Sequence, residues 1–383
     1  MTIGAQISSG ARAGGTLLLV GGGHAHVAVL ADWARSGPPP ATRTLLLTPH
    51  PVLRYSGMVP GWLAGQHGKD DGLVDLAGLA ARAGVEWLPG RCTALDPAAR
   101  TVTTDRGESI AFDYASLDTG GVGQGAALLG DDPRLLDIRP IEAFAERLAA
   151  TPAPSRVVVA GGGAGGVELA FALRNLAGAN PHPQVALVTG SGGVLPGFSA
   201  AVRGRVARAL ARQGIALHQG EARFVNGAIM AGATALEPAE LIIAATGSAA
   251  PPWVRASGLA VDGHGFALVD AQQRSFSHPH ILAVGDVAVR ADRPLDHSGV
   301  HAVKAGPVLA ANLRSLLAGE IPRASYRPRR HSLYLLNTGQ ASAIATYGPL
   351  VAEGRWVLAL KHRIDKGWIA AYAKACAPLR DHP

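Results

Sequence analysis

Two glycine-rich stretches have the residue types and the spacing of a backbone turn that holds a phosphate. "LLLVGGGHAHV" begins at Leu17, and "VVVAGGGAGGV" begins at Val157. In such a turn the first glycine allows a tight passage from strand to helix, and the second lets the backbone approach a pyrophosphate. A third glycine permits close packing of the helix against the strand. The unpaired amides and the positive end of the helix dipole then stabilise the phosphate charge.

The two copies differ at the packing position. The second copy has all three glycines, whereas the first has His26 where the third would stand. A phosphate can still bind there if the helix is slightly displaced, because the two glycines that approach it are present. Histidine in the first helical turn either faces the phosphate or packs and bonds locally, and the sequence leaves both open. The predicted contacts are Gly21, Gly23, His24, Ala25 and His26 in the first copy, and Gly161, Gly163, Ala164, Gly165 and Gly166 in the second.

Each turn is placed by a β-α-β unit, with helices predicted from His24 to Ser36 and from Ala164 to about residue 176. The strand that follows usually ends on a carboxylate that grips the adenosine ribose. Here the strands end on Thr48-Pro49 and on Thr189, whose hydroxyls bind ribose more weakly. Without an acid in the second unit, NADPH stays open beside NADH. Arg203 and Arg205 are candidate partners for its extra phosphate.

Three further strand ends add to the pattern. "FDYASLDTGG" and "ELIIAATGS" finish on Thr119-Gly120 and Thr246-Gly247, and "HPHILAVGDVA" finishes on Gly285-Asp286. An aspartate at that place is suited to accept a hydrogen bond from a ribityl hydroxyl of a flavin. Together with both glycine turns, these strand ends indicate two dinucleotide cofactors in one chain.

The order of these motifs resembles the FAD-dependent pyridine nucleotide oxidoreductase superfamily, in its type II NADH dehydrogenase-like branch. "GGGHAHV", "RYSGMVPGWLAGQH" and "LKHRIDKGWIAAY" further resemble the reductase module fused to selenide, water dikinase in some bacteria. The resemblance implies an α/β fold of two tandem Rossmann-like three-layer domains. FAD would bind a domain of residues 1–150 and 270–322, and NAD(P)H an inserted domain of residues 151–269. A small C-terminal α+β segment, a hairpin and a helix, would cover residues 323–383.

The same resemblance implies roles near the reacting rings. Ser56, Gly57 and Met58 would line the flavin ring, unless their segment is an ordinary loop. Glu168 would lie near the nicotinamide and orient it or handle protons, although an acid there also suits the helix dipole. Lys304 would support negative charge on the reduced flavin, unless it is simply solvated.

The cysteines exclude a familiar variant of this chemistry. Cys92 and Cys376 are far apart and form no C-x-x-x-x-C pair, so electrons are expected to pass directly from nicotinamide through the flavin to an acceptor. The expected enzyme is an FAD-dependent NAD(P)H oxidoreductase that reduces a quinone or another small acceptor. Gly299, Val300 and Lys304 replace the A-Q-x-A-x-Q-like pattern of quinone-reducing relatives, which weakens the case for a quinone. An accessory or sensor flavoprotein without turnover, and a flavin oxidase acting on a small sulfur, selenium or amine compound, stay open.

Composition and charge limit the partners. A hydrophobic content of 48% and a charged content of 16% indicate an ordered globular protein. The net charge is +7, but no dense basic block with interleaved aromatics predicts nucleic-acid binding. No third ligand accompanies His24 and His26, so no metal is expected. The scarcity of cysteine and the lack of a signal-like or membrane-spanning apolar run predict a cytoplasmic protein.

The sequence of the C-terminal segment is compatible with three placements of its helix. Trp356, Leu360, Ile364, Trp368 and Tyr372 recur at intervals of four among basic residues. This amphipathic stripe predicts a helix that packs on the flavin domain, forms a homodimer contact or lies on the inner face of the membrane.

Overall fold

The computed structural model describes residues 15–40, 42–293, 297, 299–328 and 331–376. The helices are α1 (His24–Ser36), α2 (Val59–Leu63), α3 (Leu76–Arg82), α4 (Gly125–Leu129), α5 (Ile141–Ala150), α6 (Ala164–Arg174), α7 (Ala200–Arg212), α8 (Pro252–Ala256), α9 (Gly299–Leu317) and α10 (Arg355–Cys376). Single 3₁₀ turns cover Ser56–Met58 and Gly285–Val287. The strands are β1 (Thr16–Val20), β2 (Arg43–Leu47), β3 (Val52–Arg54), β4 (Leu73–Asp75), β5 (Glu86–Leu88), β6 (Cys92–Asp96), β7 (Thr101–Thr104), β8 (Ser109–Ala111), β9 (Tyr114–Leu117), β10 (Leu135–Asp137), β11 (Arg156–Ala160), β12 (Gln184–Val188), β13 (Ala216–His218), β14 (Ala222–Val225), β15 (Ala228–Ala231), β16 (Thr234–Ala235), β17 (Leu241–Ala244), β18 (Ala267–Val269), β19 (Ile281–Ala283), β20 (Ala288–Arg290), β21 (Leu333–Asn337), β22 (Ala343–Tyr347) and β23 (Leu350–Gly354).

The first large sheet joins the N-terminal third of the chain to a distant strand. Its order is β19-β9-β1-β2-β5, and all of its strands are parallel. The apolar run Leu17–Val20 is completely buried because both faces of a parallel sheet are covered by other elements. Helices α1, α3 and α9 pack on one face of the sheet. Residues 281–283 thus share a sheet with residues 16–117, and this unit is discontinuous in sequence.

The second large sheet has the same architecture. Its order is β10-β17-β11-β12-β13, again parallel, and α6 and α7 pack against it. Strand β10 pairs Leu135 with Ile242, so it belongs to this sheet although the sequence boundary was expected at residue 150. Three residues carry too little pattern to assign an edge strand, and only the pairing with β17 decides its sheet. Both units have the parallel α/β arrangement that the fold class predicts.

The carboxyl ends of the two sheets meet. Just beyond β9 and β17, Val122 and Ala249 exchange two backbone hydrogen bonds of 2.9 Å. Ligands of open α/β sheets bind in the crevice outside the carboxyl ends of the strands. Because of this contact, the two crevices that are expected to hold the cofactors face each other.

A C-terminal sheet and helix complete the described chain. Strands β21, β22 and β23 form an antiparallel sheet with one strand more than the predicted hairpin, and α10 follows at once. Trp368 and Tyr372 pack on the core of the first unit, as one predicted alternative had it. Only part of the apolar stripe is buried, since Trp356 is 61% exposed and Ile364 is 44% exposed. Within the described residues, no helix has both the length and the apolar character needed to cross a bilayer.

Candidate functional site: two facing dinucleotide crevices

The second glycine turn leaves an open helix end. A Cβ on Gly161 would collide with the carbonyl oxygen of Ala245, and a Cβ on Gly166 would collide with that of Gly161. Gly163 and Gly165 instead have nothing within 4 Å of the place where a side chain would begin. No side chain caps α6. The turn therefore combines tight packing behind the helix with free space before its amides, which a phosphate group would fit.

The first turn holds a carboxylate at the corresponding place. Asp118, just after β9, accepts hydrogen bonds from the amides of Ala25 at 2.8 Å and His26 at 3.0 Å. Asp118 is only 3% exposed, and burial raises its pKa to about 7 although the two amides oppose this shift. This residue lies within "FDYASLDTGG", and no role was predicted for it from the sequence. The one signal available was a charged residue in an otherwise apolar strand end.

His26 uses its ring inside the protein. It is fully buried, with Nδ1 2.6 Å from the carbonyl oxygen of Gly21 and Nε2 2.8 Å from the hydroxyl of Ser116. A carbonyl only accepts, so Nδ1 donates to Gly21 and Nε2 accepts from Ser116. Burial lowers the pKa of His26 to about 4, which keeps the ring neutral. This geometry favours the packing alternative for a histidine at the helix-packing position.

An aromatic group lies between the first helix and α10. The rings of Tyr55 and Trp368 stack at 4.6 Å, and the ring of His24 is 5.6 Å from the first and 5.3 Å from the second. The Nε2 atom of His24 is buried without a hydrogen-bond partner, and burial lowers the pKa of this histidine to about 4. His24 therefore offers a neutral polar atom that a ligand can satisfy.

The residues of the expected flavin loop, Ser56, Gly57 and Met58, differ in their exposure and in their distance from this aromatic group. A Cβ on Gly57 would lie 3.0 Å from the Tyr55 ring, and Met58 is 3% exposed while Ser56 is exposed. Thr48 is buried beside the first turn, 3.0 Å from the place where a side chain on Gly22 would begin, and Pro49 follows it. Only part of the loop is thus free to meet a ring.

Asp286 is paired across the two units. Its carboxylate lies 2.8 Å from the guanidinium of Arg139, and Gly285 before it has a φ of +71° and approaches Asp118 closely. The Nε atom of Arg139 is buried without a partner, as are the hydroxyls of Thr246 and Ser248 near the second strand end. Unpartnered buried donors and acceptors of this kind are costly unless a ligand bonds to them. They fit a bound dinucleotide rich in hydroxyl and phosphate groups.

The remaining predicted residues fall around the same edges. Thr119 bonds the carbonyl oxygen of Gly120, whose φ is +69°, and Gly247 has a φ of +88°. Thr189 is buried at the end of β12. Lys304 is exposed on α9, which favours the solvated alternative for it.

A buried ionisable cluster lies where α6 meets α10. Glu168 Oε1 accepts a hydrogen bond of 2.8 Å from the amide of Asn337 and lies 3.8 Å from the Lys361 ammonium. Lys361 Nζ is also 3.4 Å from Asp365, and the Tyr55 side chain lies close enough to Asp365 for the two to affect each other's pKa. Lys361 and Asp365 are 8% and 4% exposed. Glu168 was predicted from the sequence, but Lys361 was only one of the basic residues between the apolar positions of the stripe, and nothing in the local pattern marks it as buried.

Burial sets the proton affinities in this cluster. It raises the pKa of Glu168 and of Asp365, although Lys361 opposes both shifts. Burial opposes the charge of Lys361, but the two carboxylates outweigh it and raise the pKa of the ammonium. Burial also raises the pKa of Tyr55. Two acids around one cation favour retention of a shared proton.

Neither a thiol relay nor a metal is built into the described crevices. Cys92 lies on β6, and burial raises the pKa of its thiol to about 12, so it is a poor nucleophile. The side chain of Cys376 lies outside the described residues. In the part of the chain that the structure describes, no three histidine, cysteine or acidic residues gather as metal ligands.

Two facing Rossmann-like units, each with a glycine turn at a carboxyl edge, define a two-dinucleotide-binding-domain flavoprotein. A family model described as pyridine nucleotide-disulphide oxidoreductase matches residues 15–308, and the chain belongs to that family. It is therefore an FAD-dependent oxidoreductase enzyme that uses NAD(P)H.

Solved structures share the fold at low sequence identity. The sulfide:quinone oxidoreductase of Aquifex aeolicus has a TM-score of 0.75 at 18% identity, covering 95% of this chain and 93% of its own. NDH2 of Plasmodium falciparum, in complex with NADH, has a TM-score of 0.73 at 13% identity, covering 95% and 98%. The water-forming NADH oxidase of Lactobacillus brevis, bound to NADH, has a TM-score of 0.69 at 20% identity, covering 87% and 75%.

A search of curated protein sequences returns no significant match. The resemblance to the reductase module fused to selenide, water dikinase stays a prediction.

Proposed function

We propose that this enzyme transfers two electrons from NAD(P)H through FAD to a quinone or a similar small acceptor, without a redox disulfide. The observation that carries the proposal is the buried cluster of Glu168, Lys361, Asp365 and Tyr55 between α6 and α10. When bound, FAD supplies a carrier that accepts a hydride and passes electrons on.

The cluster suits an acceptor that takes up protons with its electrons. Reduction of a quinone to a quinol consumes two electrons and two protons, so proton donors are needed near the acceptor. Glu168 follows the second glycine turn directly, on the first turns of α6, while Tyr55 belongs to the expected flavin loop. The cluster thus connects the nicotinamide side to the flavin side with groups that hold and release protons.

Direct cofactor contacts are proposed from the two turns. The first turn with Asp286 would bind FAD, and His24 Nε2 and Arg139 Nε would bond to its polar atoms. The second turn with Thr246 and Gly247 would bind the nicotinamide nucleotide. We propose domain limits near residues 1–134 and 270–322 for FAD and near residues 135–269 for NAD(P)H, and the pairing of β10 with β17 supports the shift of the first limit from residue 150.

The experiment separates reduction from reoxidation. We expect anaerobic NADH to bleach the flavin band near about 450 nm, and a water-soluble quinone to restore it faster than oxygen or a disulfide. Lys361→Met is expected to slow the quinone step by about a hundredfold, a usual contribution of a proton donor, and Lys366→Met on the exposed side of α10 serves as the matched control. The proposal fails if NADH and NADPH both leave the band unbleached, or if a disulfide is the faster acceptor.

The exposed side of the C-terminal sheet is proposed as a contact with a lipid surface that holds such an acceptor. Leu333, Tyr347 and Leu350 are cross-strand neighbours and 38%, 40% and 69% exposed. Trp356 and the basic Arg355 begin α10 and are also exposed. Aromatic, aliphatic and basic groups together favour binding to anionic bilayers. Co-sedimentation with anionic vesicles is expected and should be lost in Trp356→Ser, whereas a stable dimer without vesicle binding would contradict this contact.

A further inference from the structure

The second unit lacks a ribose-binding acid at the usual place, directly after β12. Thr189 stands there, and its hydroxyl lies 3.4 Å from the carbonyl oxygens of both Gly190 and His218. Thr189 is 7% exposed. Its hydroxyl is therefore directed to the backbone, and it is a poor replacement for a carboxylate that grips ribose hydroxyls.

A carboxylate reaches the same place from the neighbouring strand. After β13 the chain crosses toward β12, where Gly220 donates a hydrogen bond of 3.3 Å to the carbonyl oxygen of Gly190. Gln219 donates from its side chain to the carbonyl oxygen of Ser191 at 2.7 Å. Glu221 Oε1 then accepts from the amide of Ser191 at 3.1 Å. The crossing fixes the Glu221 carboxylate against the segment that follows β12.

Glu221 lies beside the segment after β12, and that segment adjoins the second glycine turn. Its Oε1 lies 3.4 Å from the place where a side chain on Gly190 would begin. The residue before Gly190, Thr189, lies 2.9 Å through its Cβ from the place where a side chain on Gly162 of the turn would begin. Glu221 is itself exposed, so its carboxylate is accessible to a ligand seated on that turn.

We propose that Glu221 supplies the missing ribose-binding carboxylate and makes this enzyme selective for NADH over NADPH. A carboxylate accepts hydrogen bonds from the adjacent hydroxyls of an unmodified ribose, and such charge-assisted bonds are strong. The same carboxylate repels the phosphate that NADPH carries on that ribose. This inference rests on the proposed NAD(P)H oxidoreductase function, and it replaces the open choice that the sequence left between the two nucleotides.

Arginines in the same unit could instead favour binding of NADPH over NADH. Arg223 lies on β14, two residues after Glu221, and is exposed. Arg203 and Arg205, the partners suggested from sequence, lie on α7. If an arginine rather than Glu221 dominated, the enzyme would prefer the phosphorylated nucleotide.

Equilibrium binding to the FAD-loaded protein tests the proposal without relying on turnover. Titration calorimetry with NAD⁺ and NADP⁺ is expected to show at least about tenfold tighter binding of NAD⁺, the usual scale for one charge-assisted contact. Glu221→Gln keeps an oxygen for the Ser191 amide but removes the charge. It is expected to weaken NAD⁺ binding by about tenfold and to strengthen NADP⁺ binding.

The matched control is Glu237→Gln, which makes the same charge change at the opposite edge of the sheet. Glu237 pairs with Arg156, the first residue of β11, at 3.6 Å and has a side chain that is 82% exposed. The Glu237→Gln protein should bind both nucleotides with the same affinities as the unchanged protein. ADP-ribose and its 2′-phosphate provide a second measurement on the unchanged protein, and the first is expected to bind more tightly.

Two results overturn the proposal. One is a preference of the unchanged protein for NADP⁺, and the other is a Glu221→Gln protein that keeps the original ratio of affinities. Selective NAD⁺ binding without bleaching of the flavin by NADH would leave this inference intact and refute the proposed function instead.

Discussion

Replacement of Lys361 by methionine tests the buried cluster through its energetics. The ammonium lies 3.4 Å from Asp365 and 3.8 Å from Glu168, and its side chain is 10% exposed. At an effective dielectric constant of about 20, a charge pair at this separation attracts by about 5 kcal/mol before the cost of desolvation. Removal of one partner of a buried pair costs about 3–5 kcal/mol, because the other charge is left unpaired.

The cost of Lys361→Met depends on pH, and its sign follows from the raised pKa values. Glu168 and Asp365 already have folded-state pKa values above their ordinary 4.5 and 3.8. Without the ammonium of Lys361, the folded-state pKa values of both carboxyl groups would rise further. The folded protein would then bind more protons than the unfolded chain at pH values between the unfolded-state and folded-state pKa. Stability from such groups is complete below the unfolded-state pKa and is lost as the pH rises through the folded-state pKa. We therefore expect a loss of about 3 kcal/mol at pH 8 and a smaller loss at pH 5.5.

Urea unfolding followed by tryptophan fluorescence measures this loss, at equal FAD occupancy. Lys366→Met, on the exposed side of the same helix, should change the free energy of unfolding by less than about 0.5 kcal/mol. The double variant Lys361→Met with Glu168→Gln should recover part of the loss, since it removes one of the unpaired charges. A loss below about 1 kcal/mol, or an equal loss at both pH values, would refute the idea that Lys361 holds two buried carboxylates.

Three further outcomes are expected at the glycine turns. With a pKa of about 7, Asp118 becomes charged between pH 6 and pH 8, so FAD affinity of the apoprotein should fall over that range because the carboxylate competes with the cofactor phosphates. Flavin-fluorescence titration should show no such fall for Asp118→Asn, and an equal fall would contradict this. His26→Ala should cost about 2–4 kcal/mol in urea unfolding, since it empties a buried site and leaves the hydroxyl of Ser116 unpaired; a change within 0.5 kcal/mol would remove the packing role. Gly166→Ala should abolish calorimetric NAD⁺ binding while FAD is retained, because its Cβ meets the carbonyl of Gly161, whereas Gly204→Ala on α7, where a Cβ would meet only the end of the Arg208 side chain, should bind normally.

Local pattern was sufficient to locate both glycine turns and the helices that follow them. The apolar strands, the glycines at fixed offsets and the helices that follow are all short-range features, and α1 has the predicted bounds from His24 to Ser36. The strand ends at Thr119, Thr246 and Gly285 were likewise recognisable, since each closes an apolar run. From these features alone, the fold class and the two cofactors followed.

The α10 helix shows where periodicity is insufficient. A stripe of large apolar residues predicts the buried face of a helix, but the inner face of α10 also contains Lys361 and Asp365. Burial of these charges is tolerable only because Glu168 and Tyr55 reach them from other parts of the chain. A local sequence pattern shows where apolar residues recur, but it does not show the charge partners, which lie more than a hundred residues away in the chain.

The sequence by itself determined that two glycine-rich strand-to-helix turns exist, which residues form them and that no paired cysteines accompany the first. Only the tertiary structure decided that Asp118 occupies the end of α1, that Glu221 reaches the segment after β12 and that β10 joins the second sheet. The physical reason is the range of the interactions. A turn is specified by the backbone freedom of adjacent residues, but the charges around it come from strands that meet only when the sheets assemble.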